Sequence, residues 1–229
     1  MKVSIYENTM VTEVNDGQTV SLKTETGKTI NCKKAICASH YPVDDPDKYY
    51  TNMDPEMSLA TIYELDDEYP GGMYISHDDP RRTFRSVDVE GKKYMLVGGE
   101  SHTLGTGTSD FERYKSIVDF AKETFGVKDV ISYFSSHDYL TKDRMPFVGL
   151  SDPNRKNVYV VTGLSKWGLA NSAISGKILA DTIEEKDNPY KELFNPHREI
   201  PEIEEIQQEK SKEKPSSSTS KEKIDDLEK

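Results

Sequence analysis

Two glycine-bearing stretches and one mixed polar stretch hold the residue types and spacings that chemistry needs. The first, Thr162-Gly163-Leu164-Ser165-Lys166-Trp167-Gly168, follows the apolar run Val158 to Val161 and precedes Ala170, Ala173, Ile174, Ile178, Leu179 and Ile183 at helical spacing. Strand, glycine loop and helix in that order present free backbone N–H groups and a positive helix end to an anionic or electron-rich ligand. The indole of Trp167 adds a flat face for a ring system. A plainer reading stays open, in which the glycines turn the chain and the tryptophan fills core.

The second stretch, Val97 to Gly107, also lies between a strand-like and a helix-like segment. It matches neither Gly-x-Gly-x-x-Gly nor the phosphate loop ending in Gly-Lys-Ser/Thr, so a nucleoside triphosphate site is not expected. Within it His102 is either a proton carrier or an ordinary loop histidine. The third stretch, Ser135 to Gly149, mixes ionisable and aromatic residues and brings Ser, His and Asp close in sequence. A hydrolytic triad would need a Gly-x-Ser-x-Gly elbow, and the chain has none.

The histidines His40, His77, His102, His137 and His197 are scattered, and the cysteines Cys32 and Cys37 have no close histidine pairs, so no metal site is expected. Their odd separation in a strand-like stretch places the two thiols on opposite faces, which disfavours a disulfide. The acidic runs Asp66-Asp67-Glu68 and Asp78-Asp79 read as solvated turns. With 30 basic against 41 acidic residues and a net charge of −11, the chain has the wrong sign for a phosphate-backbone partner. No apolar run approaches the ~18 residues a membrane span needs, and no leader opens the chain. A cytoplasmic, reducing setting is the expectation.

These residues need elements to position them. Alternation predicts a small antiparallel meander from Val3 to Val14, Thr19 to Thr26 and Ile30 to Ser39, turning at Asp16-Gly17 and ending in the buried run Ala35-Ile36-Cys37-Ala38. Tyr41 to Pro55 is a connection. Met57 to Leu65, Gly72 to Ser76, Thr83 to Val89 and Lys93 to Val97 are β-prone, with Glu90-Gly91 as a hairpin turn. Ser109 with Glu112 forms a capping box for a helix that ends at Gly126. A strand from Val130 to Phe134 and an irregular stretch to Leu150 follow. The 32 residues from Arg198 to Lys229 carry 7 basic and 10 acidic residues and no aromatic, which predicts a solvated, disordered tail.

Read in order, the pieces resemble the FAD-dependent oxidoreductases of the D-amino acid oxidase and glycine oxidase superfamily over most of residues 3 to 185. The resemblance rests on Glu7 to Val14, Gly27 to Cys32, Ala35 to Pro42, Gly98-Gly99-Glu100-Ser101-His102, Asp143-Arg144-Met145-Pro146-Phe147-Val148-Gly149, and Thr162 to Leu169. The last three are similar to the branch often fused to a Rieske module. The resemblance implies an α+β or α/β fold: a partial, Rossmann-like FAD-binding domain without its N-terminal βαβ unit, plus a mostly antiparallel substrate sheet with helices. The expected division is 1–42 for the partial FAD-binding domain, 43–137 for the substrate domain, 138–188 for the returning flavin loop and helix, and 189–229 for the tail.

It further implies FAD contacts at Val11, Ala38, Ser39, Gly163, Leu164, Ser165, Lys166, Trp167 and Gly168, and oxidation of a small-molecule amine or amino acid. No catalytic residue is assigned. Tyr63, His102 and Arg144 are the candidate substrate contacts, Arg144 because a guanidinium suits a carboxylate. The 229 residues contain no Gly-x-Gly-x-x-Gly fingerprint and no Rieske cluster ligands. The expectation is therefore the C-terminal part of such an enzyme, completed by a separate N-terminal chain or prone to self-association. The alternative is a noncatalytic orphan fragment that serves protein association.

Overall fold

A computed structural model describes residues 3–46, 48–65 and 71–200. In chain order the elements are β1 (Val11–Asn15), β2 (Val20–Thr24), β3 (Thr29–Cys32), β4 (Ala35–Cys37), a 3-10 turn at Tyr49–Asn52, and β5 (Met53–Glu64). Then come β6 (Met73–Ile75), β7 (Thr83–Val89), β8 (Lys92–Thr103), α1 (Asp110–Phe125), β9 (Val130–Thr141), β10 (Phe147–Leu150), β11 (Val158–Thr162) and α2 (Gly168–Ile183). The described residues form a sheet-dominated α+β arrangement of three sheets and two long helices.

The antiparallel meander β1-β2-β3 covers one face of a small sheet ordered β10-β11-β4, in which β11 and β4 run parallel. Val14 and Val20 of the meander close against Ala35, Cys37 and Val158. The other face of the small sheet presents Val148 and Tyr159 to Ile178 and Leu179 of α2. This alternation of buried faces follows from the two-residue period of β11. Asp16, in the β1–β2 turn, accepts the backbone N–H groups of Lys156 and Asn157 at 2.9 and 3.3 Å and so ties the meander to the loop before β11.

The larger sheet is antiparallel, ordered β6-β7-β8-β5-β9. Leu59, Tyr63, Met95 and Val97 pack under Ile117 and Ala121 of α1. Helix α1 begins where the capping box predicts: Ser109 Oγ accepts from Glu112 N–H, Glu112 accepts from Ser109 N–H, and Gly126 closes the helix at φ 65°. Glu90 and Gly91 both adopt positive φ, as a tight hairpin between twisted strands requires.

Several boundaries differ from the sequence expectation. Residues 3–10 lie outside the first strand and are exposed. The expected single strand from Ile30 to Ser39 is broken at Lys33-Lys34 into β3 and β4, which belong to different sheets. Gly98 and Gly99 sit inside β8 and are no loop: a Cβ on Gly98 would meet Thr83 Oγ1 at 2.8 Å, and one on Gly99 would meet Arg82 Cδ at 2.8 Å. Glycine serves close approach there.

The irregular stretch expected after Phe134 is the second half of β9, paired with Met53 to Leu59, so the boundary expected between 137 and 138 falls inside a strand. Polar residues fill it because it is an edge strand with much of its surface in solvent. Residues 189–198 belong to the same compact unit as the rest, contrary to the expected tail. Phe194 is buried against Val148, and its carbonyl accepts Val148 N–H at 2.8 Å. The expected disordered run Pro215 to Ser220 lies outside the described residues.

Cys32 and Cys37 are free thiols. Burial pushes the Cys37 thiol up to about 11, with the Asp44 carboxylate adding to the rise.

Candidate functional site

Parallel strands β4 and β11 end side by side, and their carboxyl ends lead into Ala38-Ser39-His40 and Gly163 respectively. Crevices outside the carboxyl ends of parallel strands are where α/β sheets bind ligands. Thr162 Oγ1 donates to the His40 carbonyl at 2.5 Å and fastens the two exits together. Gly163 has φ 67°, and a Cβ on it would lie 2.4 Å from Thr141 Cγ2. The turn therefore presses against β9 more closely than any other residue permits.

Ser165 and Lys166 follow with φ of 51° and 65°. Two consecutive left-handed residues other than glycine cost on the order of 1 kcal/mol each and persist only where the surroundings enforce them. Here the enforcement is visible. Leu164 bridges to Leu140, Ser165 N–H reaches the Tyr139 carbonyl at 3.3 Å, and Asn171 Nδ2 donates to the Leu164 carbonyl at 3.0 Å. Lys166 Nζ pairs with Glu56 at 2.5 Å and donates to Ser58 Oγ and Ser101 Oγ at 2.8 and 2.9 Å. One ammonium thus fastens the turn to β5 and β8.

Helix α2 starts directly from this turn, and no side chain caps its N-terminus. Its first-turn amides and its positive dipole end are left for another acceptor. Beside the turn, His40 adopts φ 65° and its Nε2 lies 2.6 Å from the His137 carbonyl. The His40 ring packs 5.0 Å from Tyr139, which packs 5.4 Å from Tyr41. Burial pushes the Tyr139 hydroxyl up from its ordinary value.

Behind the turn, Asp143 accepts from Arg198 Nε at 2.8 Å and Nη2 at 2.9 Å, while the guanidinium also reaches the Met145, Pro146 and Asn195 carbonyls. Burial alone would raise Asp143, but the Arg198 guanidinium and the Met145 N–H outweigh it and hold the carboxyl below its usual range.

The expected cofactor contacts fall on this feature in part. Gly163 to Gly168 form the strained turn, and Ala38 and Ser39 are exposed at the neighbouring strand exit. Val11 opens β1, away from the turn in sequence, and packs on the meander core. Trp167 is 70% exposed, so the reading that it fills core is wrong.

The three expected substrate contacts are not brought together. Tyr63 is fully buried beneath α1, where Thr61 Oγ1 donates to its hydroxyl at 3.0 Å. His102 lies on β8 rather than in a loop, its Nδ1 2.7 Å from the Glu100 carbonyl. Arg144 is exposed in the turn after β9, with φ 67°. Sequence reasoning passed over Glu56 and Ser58, and gave Ser101 and His40, which lie within its motifs, no role of their own. The period of two along β5, which sends Glu56 and Ser58 to the face opposite Leu59, was the available signal.

Comparison with known proteins gives the class. The family model "FAD dependent oxidoreductase" (DAO) matches residues 1–182, and the chain belongs to this family. A protein of Bacillus subtilis strain 168 named as a Rieske 2Fe-2S iron-sulfur protein, YhfW, is 34% identical over 195 residues, covering 85% of this chain and 38% of that one. Among solved structures, glycine oxidase from Bacillus cereus ATCC 14579 superposes with a TM-score of 0.63 at 19% identity, over 86% of this chain and 55% of that one. L-proline dehydrogenase from P. horikoshii gives 0.62 at 18% identity, over 84% and 54%. The chain therefore spans between about two fifths and just over half of these relatives. Among the described residues no helix is long and apolar enough to cross a membrane, and no three His, Cys, Asp or Glu side chains gather as metal ligands.

Proposed function

We propose that this chain forms the flavin-facing turn and the substrate sheet of an enzyme that oxidises an amine or amino acid by hydride transfer to FAD. The observation that carries the reading is the enforced turn from Gly163 to Gly168, which opens an uncapped helix at the carboxyl ends of two parallel strands. These residues fit the ring end of the cofactor: Gly163 is pressed to the limit of its space, and free amides point from a helix start. When bound, FAD supplies the acceptor for a hydride from the carbon beside the substrate amine. The amides of Gly168, Leu169 and Ala170 stabilise negative charge placed at the helix start. Lys166 fixes the turn against Ser58 and Ser101 so that no reorganisation is needed when that charge develops.

For the substrate we move the proposal from Tyr63 and His102 to the open face of the large sheet beside the turn, where Ser58 and Ser101 present hydroxyls. Arg144 stays as the proposed carboxylate partner. The free cysteines are consistent with a reducing, cytoplasmic setting.

A second observation bears on partners. Among the described residues strand β4 is an edge of its sheet; Ile36 on it is 49% exposed, and Leu169 on α2 is 95% exposed. The open edge of β4 and the exposed apolar start of α2 each support a strand-and-helix segment docking on this chain, from the same polypeptide or from a separate one. They equally support the rival reading, an association module without catalysis. Absorbance decides between them: a preparation of the chain with that segment should be yellow and bleach anaerobically with an amine or amino acid. A colourless preparation that still binds the segment would leave the rival standing.

A further inference from the structure

Strand β8 changes phase at Glu100. Before it, Val97 and Gly99 stand opposite Thr61 and Leu59; beyond it, His102 stands opposite Met57. Two steps along β5 are thus matched by three along β8, and Glu100 and Ser101 together face Ser58, a bulge in which Glu100 takes φ 52°. The two side chains part there. Glu100 turns to the α1 side, where its Oε1 accepts from Arg82 Nη2 at 2.5 Å and from Ser116 Oγ at 2.8 Å. Ser101 turns to the other side, its Oγ 3.0 Å from Ser58 Oγ and 2.9 Å from Lys166 Nζ. The Arg82 and Glu100 side chains are 4% and 15% exposed, and Arg82 Nε finds no hydrogen-bond partner among the described residues. A buried ion pair with an unmet donor is a poor source of stability, and apolar residues of the same size would serve that end as well.

We infer that Arg82 and Ser116 are positioning residues for the candidate site: by holding Glu100 under α1 they fix the bulge that delivers Ser101, and not a carboxylate, to Lys166. That the site faces a flavin rests on the function proposed above. Side chains alternate along a strand, so with Glu100 extended β8 would aim the Glu100 carboxylate at the Ser58 side and Ser101 at α1. Lys166 already meets one carboxylate there, that of Glu56. A second beside the turn would oppose the negative charge that the helix start stabilises. The network under α1 keeps it on the far side of the sheet. Arg113 Nη1, 3.8 Å from Glu100 Oε2, adds a second cation to that hold.

The rate at which an N-hydroxysuccinimide ester acetylates Lys166 in the full chain, read by peptide mass spectrometry against exposed Lys28, tests this without any cofactor. Ser101→Ala removes one acceptor from the ammonium and should speed Lys166 about threefold. Arg82→Met should speed it about as much, and the two substitutions together no further, since Arg82 acts through Ser101. Glu100→Gln, which keeps an acceptor for Arg82 and Ser116, should stay within ~2-fold of the parent, whereas Glu100→Ala should match Arg82→Met. Should Arg82→Met fail to fold, Ser116→Ala takes its place. Alanine suits a helix, so a faster Lys166 at an undiminished melting temperature is not unfolding. Lys166 at the parent rate in Ser101→Ala or in the folded network variant, or additive effects when the two are combined, overturns the inference. A chain whose variants couple but which never turns yellow keeps the positioning link and loses the flavin reading; a yellow chain with additive variants does the reverse.

Discussion

A Cβ at position 163 has nowhere to go: it would lie 2.4 Å from Thr141 Cγ2 on a residue already at φ 67°. Gly163→Ala should therefore cost about 2–4 kcal/mol, combining left-handed strain with overpacking, as measured by urea unfolding. The glycine itself was legible in the sequence. Its reason was not, because Thr141 is far away in sequence and meets it only through β9. The same holds for Lys166, whose partners Glu56, Ser58 and Ser101 lie on two other strands. Lys166→Met removes a partly exposed ion pair and should cost only about 1 kcal/mol. Arg198 and Asp143 are more deeply placed, with side chains 10% and 15% exposed. Arg198→Met should cost about 3 kcal/mol at neutral pH, since it strands a buried carboxylate. The folded carboxyl of Asp143 lies below its unfolded value, so its contribution is present above about pH 4 and is lost as pH falls through the folded value. Melting temperature against pH should fall on that acid limb for the parent and flatten for Arg198→Met.

Elements with local signals were read well, and those that depend on distant pairing were not. Helix α1 carries its start and stop in its own residues, Ser109, Glu112 and Gly126. Ser109→Ala should cost about 1 kcal/mol in urea unfolding, and Glu112→Ala, which removes the reciprocal bond, less. The β7–β8 hairpin was legible for the same reason. In contrast, β8 runs on through Gly98 and Gly99, residues that propensity assigns to a loop, because Thr83 and Arg82 crowd the space where side chains would stand. Strand β9 continues through Ser135, Ser136, His137 and Asp138 because β5 supplies a ladder as far as Thr141. Edge strands bury little, so they imprint little hydrophobic pattern. The segment at 189–198 was misassigned for a related reason: one buried phenylalanine and one arginine spanning three carbonyls hold it, and composition averages over both.

At the scale of the whole molecule, the candidate site is a seam between two sheets rather than a pocket within either. The stretch from Gly163 to Gly168 turns the chain from β11 into α2, as the run of strand, glycine loop and helix led one to expect. Which sheet face it meets depends on contacts between β5, β8, β9 and the turn, and no local pattern encodes them. A further consequence attaches to the two cysteines of the meander corner. Burial holds the Cys37 thiol in its protonated form and walls in its sulfur, whereas Cys32 is partly open. An alkylating reagent should consequently add one label per native chain and two per denatured chain, counted by intact mass. The rate at which the second label arrives would then clock how often this corner springs open, turning an unpaired thiol into a built-in reporter of local breathing.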